Sequence, residues 1–299
     1  MSAVLDADGI ALVSLDDPSY PENLRLAEEA PDPIYVRGDL LPGDRVAVAI
    51  VGTRSPTSLG KLFAFDLAKE LAAAGVTIVS GLALGIDTQA HLGALEAGGR
   101  TIACLGTAVD VTYPRTNADL FNEIPLHGAL VSEYEPGTGA MPFRFPRRNR
   151  IIAGLSLGVV VVEAGEKSGA LITAGWALKH DRPVMAVPGS PRSRVSAGTN
   201  RLIQDGAYLV TSAQDVLSFL GQEGEYVPEC REDGVPRGRA LTFEEGAVLR
   251  EVQKGALSAD QIVDRLNGFS PGKVVSLLSS LEVKGIVEKA AGGKYLAKT

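Results

Sequence analysis

The chain is poor in the residues that usually announce chemistry. Its two cysteines, Cys104 in a β-branched run and Cys230 in a polar stretch, are too few for a disulfide framework. Its three histidines, at 91, 127 and 180, are scattered, and no His-x-x-x-His or Cys-x-x-Cys spacing suggests a metal. His91 lies among Ala90, Leu92 and Leu95 and reads as a packed imidazole, and Trp176 reads as part of an apolar helix face. No apolar run approaches the ~20 residues of a membrane-spanning helix. The start of the chain, with Asp6 and Asp8, lacks a basic-then-apolar leader pattern, so a cytoplasmic protein without membrane contact is expected. Two nucleotide signatures are missing as well. Gly165-Glu166-Lys167-Ser168 lacks the adjacent Gly-Lys and the upstream glycine of a phosphate-loop ATPase. Gly52-Thr53-Arg54 after the first strand-like run and Ser80 after the second do not make a dinucleotide fingerprint. No cofactor is expected.

What is present is a sizeable core and an uneven distribution of charge. With 299 residues, 45% hydrophobic and 22% charged, the length favours one large domain and a small one. The net charge of −7 argues against a polyanionic partner only until it is mapped. Residues 1–45 carry 3 basic against 10 acidic groups, whereas 46–220 carry 15 against 14. Because charges are screened over ~8 Å at physiological salt, acid in one segment does not forbid a basic groove in another.

Short β-branched runs alternate with longer amphipathic or Ala-rich stretches. Strands are expected at 46–51, 76–80, 101–105, 129–133, 159–163, 184–187 and 208–210. Helices are expected at 59–74, 87–97, 117–123, 169–180 and 213–220. This alternation, with near-continuous apolar strands, predicts a doubly wound, mostly parallel α/β sheet of extended Rossmann-like type over 46–220. Residues 1–45 form a short acidic segment ahead of it. The Gly, Pro and charge-rich stretch 221–240 reads as a linker. Three helices (243–253, 259–266 and 270–284) and a hairpin (286–289 with 294–297) over 241–299 resemble a winged-helix domain, with thin basic decoration around Lys273.

In sheets of this kind ligands bind beyond the carboxyl ends of the strands, where the chemical-looking motifs of this chain fall. Gly52 to Gly60 and Ser80 to Asp87 each run from a strand through a turn to a helix start, where free N–H groups attract anions, and Asp87 could cap its helix. Gly106-Thr107, Tyr113 to Asn117, Glu163 to Gly169, Pro188-Gly189-Ser190 and Gly198-Thr199-Asn200 follow on the same rim. One Gly-rich loop is weak evidence, but several on one rim are stronger. The sharpest feature is Arg144 with Phe145-Pro146-Arg147-Arg148-Asn149-Arg150, set against the apolar run 151–155. Guanidiniums cannot lose their charge, so such a cluster needs an anionic partner, either a phosphate backbone or carboxylates such as Asp110, Glu133 or Glu163.

Taken together, Gly52-Thr53-Arg54, Ser80-Gly81-Leu82-Ala83-x-Gly85-Ile86-Asp87, Tyr113-Pro114-x-x-Asn117, Ser132-Glu133, Arg148-Asn149-Arg150 and Glu163-Ala164-x-x-x-Ser168-Gly169 resemble the DNA-processing protein A family, also called DprA or Smf. The resemblance runs from about Tyr20 to Leu220. It implies a Rossmann-like domain, binding of single-stranded DNA, loading of the RecA recombinase during natural transformation, a homodimer, and no catalytic turnover. The sequence departs from the family in one respect: the family often begins with a helical module, and with only about forty residues ahead of Val46 that module is expected to be truncated or absent. Carried over residue by residue, Arg54, Arg115, Arg148 and Arg150 match basic positions, and Gly81, Gly85 and Ser168 match small residues near phosphate. The nucleic-acid site is therefore expected at Arg54, Ser80, Gly81, Gly85, Arg115, Asn117, Phe145, Arg147, Arg148, Asn149, Arg150, Lys167, Ser168 and Gly169. Bases are expected to stack on Phe143, Phe145 or Tyr113, with little sequence readout. Loss of Arg148 is expected to flatten the salt dependence by ~0.7 on a log-log plot. A tentative dimer face is Thr199, Leu202, Ile203 and Leu209. The rival readings are a nucleotide phosphoribohydrolase-like enzyme using Glu163 and a duplex-binding regulator acting through the winged helix.

Overall fold

A computed structural model describes residues 9–222, 248–249, 251–252, 257–266, 270–283, 287–290 and 294–297. The chain divides into two compact units, Met1–Tyr226 and Val227–Thr299.

The first unit is a nine-stranded sheet. Its strands are β1 Ile10–Val13, β2 Ile34–Gly38, β3 Ala47–Val51, β4 Thr77–Ser80, β5 Thr101–Cys104, β6 Gly128–Ser132, β7 Gly158–Val161, β8 Val184–Ala186 and β9 Tyr208–Leu209. They are ordered β1-β2-β6-β5-β4-β3-β7-β8-β9. From β6 to β9 all neighbours are parallel, with Ala49 opposite both Val79 and Val159. The order runs outward from β3 in both directions, so the switch point lies between β3 and β7, where the sheet opens a crevice at its carboxyl edge. The helices are α1 Glu22–Arg25, α2 Ser58–Ala73, α3 Ile86–Glu96, α4 Ala118–His127, α5 Arg144–Leu155, α6 Ala170–Lys179, α7 Ala197–Gln204 and α8 Ala213–Gln222.

Period-2 alternation decides which helices cover which face. Ala47, Ala49, Val51, Val159 and Val161 pack on one side with Ile151, Ile152 and Leu155 of α5 and Ala170, Ala174 and Ala177 of α6. Val48, Ile50, Ile78 and Val160 pack on the other with α2, α3 and α8. Small residues let α2 and α3 approach closely. Gly93 lies against the Phe65 carbonyl, and a methyl group there would also sit 3.0 Å from Ala68 Cβ.

The acidic stretch set apart at residue 45 does not stand apart. β1 and β2 join the same sheet, β2 pairing antiparallel with β6 (Val36 opposite Val131) and β1 with β2. Ile34 and Val36 are buried in the main core, and Leu24 of α1 packs on α5 at Gly154. Burial of these apolar residues outweighs the acidity of their neighbours, which lie at the surface except for Asp44, buried against Arg100. The sequence also assigned no element to 144–155, which is the twelve-residue helix α5.

The second unit contains β10 Leu257–Ser258, β11 Val287–Ala290 and β12 Lys294–Ala297 in the order β10-β12-β11. Among the described residues it has the helices α9 Ala259–Arg265 and α10 Pro271–Val283, and residues 248–249 and 251–252 are helical as well. Val248, Val252, Ile262, Val274, Leu278, Leu281 and Val287 form its core. Ser258 caps α9, accepting from Gln261 N while the Gln261 side chain accepts from Ser258 N at 2.9 Å. The expected hairpin is present, with β10 as an unforeseen third strand. Most of the expected helix at 243–253 and the linker from 223 onward lie outside the described residues. Among the described residues no helix is long and apolar enough to cross a membrane.

Candidate functional site

The loops at the carboxyl ends of β3, β4 and β7 meet α5 and the start of α6 around a cavity of about 380 Å³, and the loop after β5 lines a smaller pocket beside it. Each wall has a local cause. After β3, Thr53 N–H donates to the Glu163 carbonyl at 2.7 Å and the Thr53 carbonyl accepts from Ile86 N at 3.2 Å, which fixes the turn and leaves Arg54 exposed. Thr57 then caps α2, accepting from Gly60 N at 3.0 Å. The Glu163 carboxylate accepts from Thr57 N at 2.9 Å and from its hydroxyl at 2.6 Å. A carboxylate at a helix N-terminus is favourable there, and in this position it does not line the cavity.

After β4 the chain doubles back through Leu82 (φ 56°) and Gly85 (φ 89°). Gly85 is required, since its left-handed backbone lies against the Thr53 and Arg54 carbonyls with no room for a side chain. Asp87, expected to cap the helix, instead sits inside its first turn and accepts from Gly81 N at 3.1 Å and Ala83 N at 3.4 Å. Asn117 donates to the Leu82 carbonyl at 2.9 Å and to Thr88 Oγ1 at 3.0 Å, bracing the loop from the next segment.

Arg148 on α5 reaches under this loop. It is 4% exposed and donates to the Gly81 carbonyl at 2.7 Å and to the Cys104 carbonyl. Burial pushes the Asp87 carboxyl up and pulls the Arg148 guanidinium down, while each charge favours the ionised form of the other. Burial also pushes the Cys104 thiol up to about 12, so that thiol is inert. Gly81 leaves the space Arg148 needs, because a methyl group there would sit 2.5 Å from Nη2.

Over the cavity mouth Phe145 lies with its ring 5.2 Å from Tyr113 and 5.8 Å from the Arg54 guanidinium. Gly106 sits beneath the Phe145 ring, where a methyl group would come within 2.7 Å. Asn149 donates to the Gly169 carbonyl at 3.2 Å, and Ser168 and Gly169 complete the wall. Lys167 is exposed beside them, and Arg115 is exposed farther along the same rim.

The structure therefore gathers Arg54, Phe145, Arg148, Asn149, Ser168 and Gly169 around one cavity, with Gly81 in the adjoining pocket beside Phe145 and Tyr113. It takes four expected site residues elsewhere. Ser80 is fully buried and donates to the Ile50 carbonyl at 2.7 Å, joining β4 to β3. Asn117 is buried as the brace described above. Arg150, also buried, pairs with Glu133 at 2.8 Å, and the exposed Arg147 reaches the same Glu133 oxygen at 3.2 Å. These two arginines have the carboxylate partner that the sequence offered as the alternative to phosphate. Thr199 of the tentative dimer face is buried and donates to the Ser196 carbonyl at 3.2 Å, and Leu202 packs against the core. Leu209, on edge strand β9, is exposed. The role of Asp87 as the anchor of the β4 loop was missed; its one trace in the sequence is a carboxylate two residues after a strand–glycine–glycine turn.

The profile of the family described as DNA recombination-mediator protein A matches residues 11–221. The chain belongs to that family. The protein Smf of Synechocystis is 38% identical over 94% of this chain and 78% of its own length. Among solved structures, DNA processing protein A of Streptococcus pneumoniae has a TM-score of 0.66 at 44% identity, covering 70% of this chain and 74% of that one. A structure of the Helicobacter pylori DNA processing protein A, which concerns its single-stranded DNA binding mode, has a TM-score of 0.65 at 32% identity and covers 74% and 99%. The family resemblance carried by the loop motifs is thereby borne out, as is the mostly parallel, Rossmann-like sheet.

Proposed function

We propose that this protein binds single-stranded DNA along the carboxyl rim of its sheet, without sequence readout or turnover, and passes it to the RecA recombinase during natural transformation in the cytoplasm. The observation that carries the reading is the convergence on the switch-point rim of an exposed Arg54 that makes no ion pair among the described residues, the glycine loops and the Phe145–Tyr113 ring pair, around one cavity and the pocket adjoining it. A guanidinium beside a stacking ring suits a phosphate and its base together, and neither contact distinguishes one base from another. The single-stranded DNA binding of the Helicobacter relative agrees with it. The geometry argues against a glycosidic-bond enzyme acting through Glu163, since that carboxylate is held by Thr57 at the start of α2. Self-association through the β9 edge, where Leu209 is exposed, is the dimer this reading favours. The C-terminal unit is read as a winged helix whose α10 carries Lys273 and serines outward.

Fluorescence anisotropy with labelled oligo-dT tests the reading on the full chain. Arg54→Ala should weaken binding about tenfold or more, because hydrogen bonds to charged groups are worth ~1.5–3 kcal/mol. It should also lower the salt slope by ~0.7 with no change in melting temperature. Unchanged affinity and slope would remove the basis for the assignment.

A further inference from the structure

The sequence motifs at 188–190 and 198–200 sit on the same rim, yet the cavity does not use them. Their geometry is specific. The Asn200 side chain grips Gly189 from both sides, accepting from its N–H at 3.1 Å and donating to its carbonyl at 2.9 Å. This closes the base of the 189–196 loop. The loop backs onto the segment after β7 that walls the cavity. Gly198 N donates to the Ala164 carbonyl at 2.8 Å, and a methyl group on Gly165 would touch the Arg194 carbonyl at 3.3 Å. From this anchored loop Arg192 and Arg194 are exposed to solvent, and neither makes an ion pair among the described residues. The contrast with other arginines of the unit is clear. Arg100 is paired with Asp44, Arg147 and Arg150 with Glu133, and Arg201 with Asp205.

We propose that Arg192 and Arg194 form a second cationic station for nucleic acid, reached from the Arg54 cavity by way of Lys167. The inference rests on the single-stranded DNA reading of that cavity. Continuity and charge carry it. Adjacent strands lie ~4.8 Å apart, so two steps along the sheet, from β3 through β7 to β8, separate the Arg54 loop from this one by roughly 10 Å. A strand leaving the cavity in that direction meets Lys167 and then the two guanidiniums, on a loop whose base is already fixed. Glu166, exposed on the intervening loop, is the acid that opposes this path.

The experiment measures the affinity of the full chain for oligo-dT from about 4 to about 16 nucleotides long, each at several salt concentrations. The Arg192→Ala/Arg194→Ala double variant should match the wild type on the shortest oligomers. On the longest it should bind several-fold more weakly, with the salt slope reduced by ~1.4 for two lost phosphate contacts. The corresponding double lysine variant should keep the slope, and Glu166→Gln should tighten binding of the longer oligomers alone. If the double alanine variant equals the wild type at every length while Arg54→Ala still weakens binding, the second station is wrong and the cavity reading stands. Equal losses on short and long oligomers would likewise overturn it, since the arginines would then belong to the cavity. If Arg54→Ala is also without effect, the cavity reading fails and this proposal with it.

Discussion

The two edges of the sheet enclose cavities of equal volume, about 380 Å³ each, and handle buried charge in opposite ways. At the amino edge Asp44 is saturated by side chains and one amide. It takes two hydrogen bonds from Arg100 at 2.7 and 2.8 Å, one from the Thr77 hydroxyl at 2.8 Å and one from Leu41 N at 2.7 Å. The charges cancel within a cluster closed on itself, apart from one bond from Arg100 to the Asp39 carbonyl at 2.7 Å. At the carboxyl edge Asp87 and Arg148 each turn to the main chain, Asp87 to amides and Arg148 to carbonyls, so the pair shapes a loop. The first arrangement adds stability alone, whereas the second also determines where Gly81, Ala83 and Phe145 present themselves. A buried charge is thus informative only when its hydrogen bonds are followed to their partners.

Breaking the closed cluster should have the largest effect. Asp44→Ala leaves Arg100 with the Asp39 carbonyl as its remaining acceptor and takes the acceptor from the Thr77 hydroxyl and Leu41 N–H, and should cost about 3 kcal/mol in urea unfolding followed through Trp176, the chain's one tryptophan, because removing one member of a largely buried pair leaves its partners uncompensated. Oligo-dT affinity of the folded fraction should be unchanged; a large change would erase the distinction between the edges. Arg148→Lys sharpens the same contrast. The charge is kept, but an ammonium on the shorter lysine stem must replace the single Nη1 that donates to both carbonyls, and the Nε bond to Asn149 Oδ1 at 3.2 Å is lost outright, so a loss of about 2 kcal/mol is expected. Binding should weaken with the salt slope intact. Arg148→Ala then separates the roles: an intact slope leaves Arg148 as the support of the loop, and a slope lowered by ~0.7 returns it to direct contact with phosphate.

The smallest effect concerns His91. Burial lowers its pKa to about 3, and Nδ1 lies 2.7 Å from Thr101 Oγ1. The Thr101 hydroxyl donates to the Ile78 carbonyl, so His91 Nδ1 carries the proton and donates to Thr101. The folded state keeps the ring neutral while the unfolded chain protonates it near the model-peptide value of ~6.5. This stability is therefore present above pH ~6.5 and is lost as pH falls toward 3. The loss should reach about 2 kcal/mol between pH 7 and pH 5, and His91→Gln should remove that part of the pH dependence in the same unfolding assay.

The parallel strands were legible to within two residues at most boundaries because strands buried on both faces are near-continuous apolar runs such as Ala47–Val51 and Gly158–Val161. β1 and β2 were not, since four- and five-residue strands at a sheet's end, among Asp and Pro, carry little pattern. α5 was hidden by its composition. Pro146 is tolerated because it falls in the first turn, where no N–H partner is lost, and the apolar residues 151–155 are helical though their run suggests core of either kind. The arginine cluster was read as needing an anionic partner, which Arg147 and Arg150 have in Glu133, but no sequence pattern reveals that the partners of Arg148 are main-chain carbonyls. The glycine loops were readable because close approach leaves a residue type as its trace.

The Asn117 brace has a consequence for binding. By tying the turn after β4 to the segment that carries Tyr113 and Arg115, it makes two patches of the rim a single rigid anvil before any ligand arrives. For the single-stranded DNA proposed above, the loss of freedom on association would then fall mainly on the flexible polymer, and substitutions at Asn117 should blunt capture by loosening the protein while touching nothing that is captured.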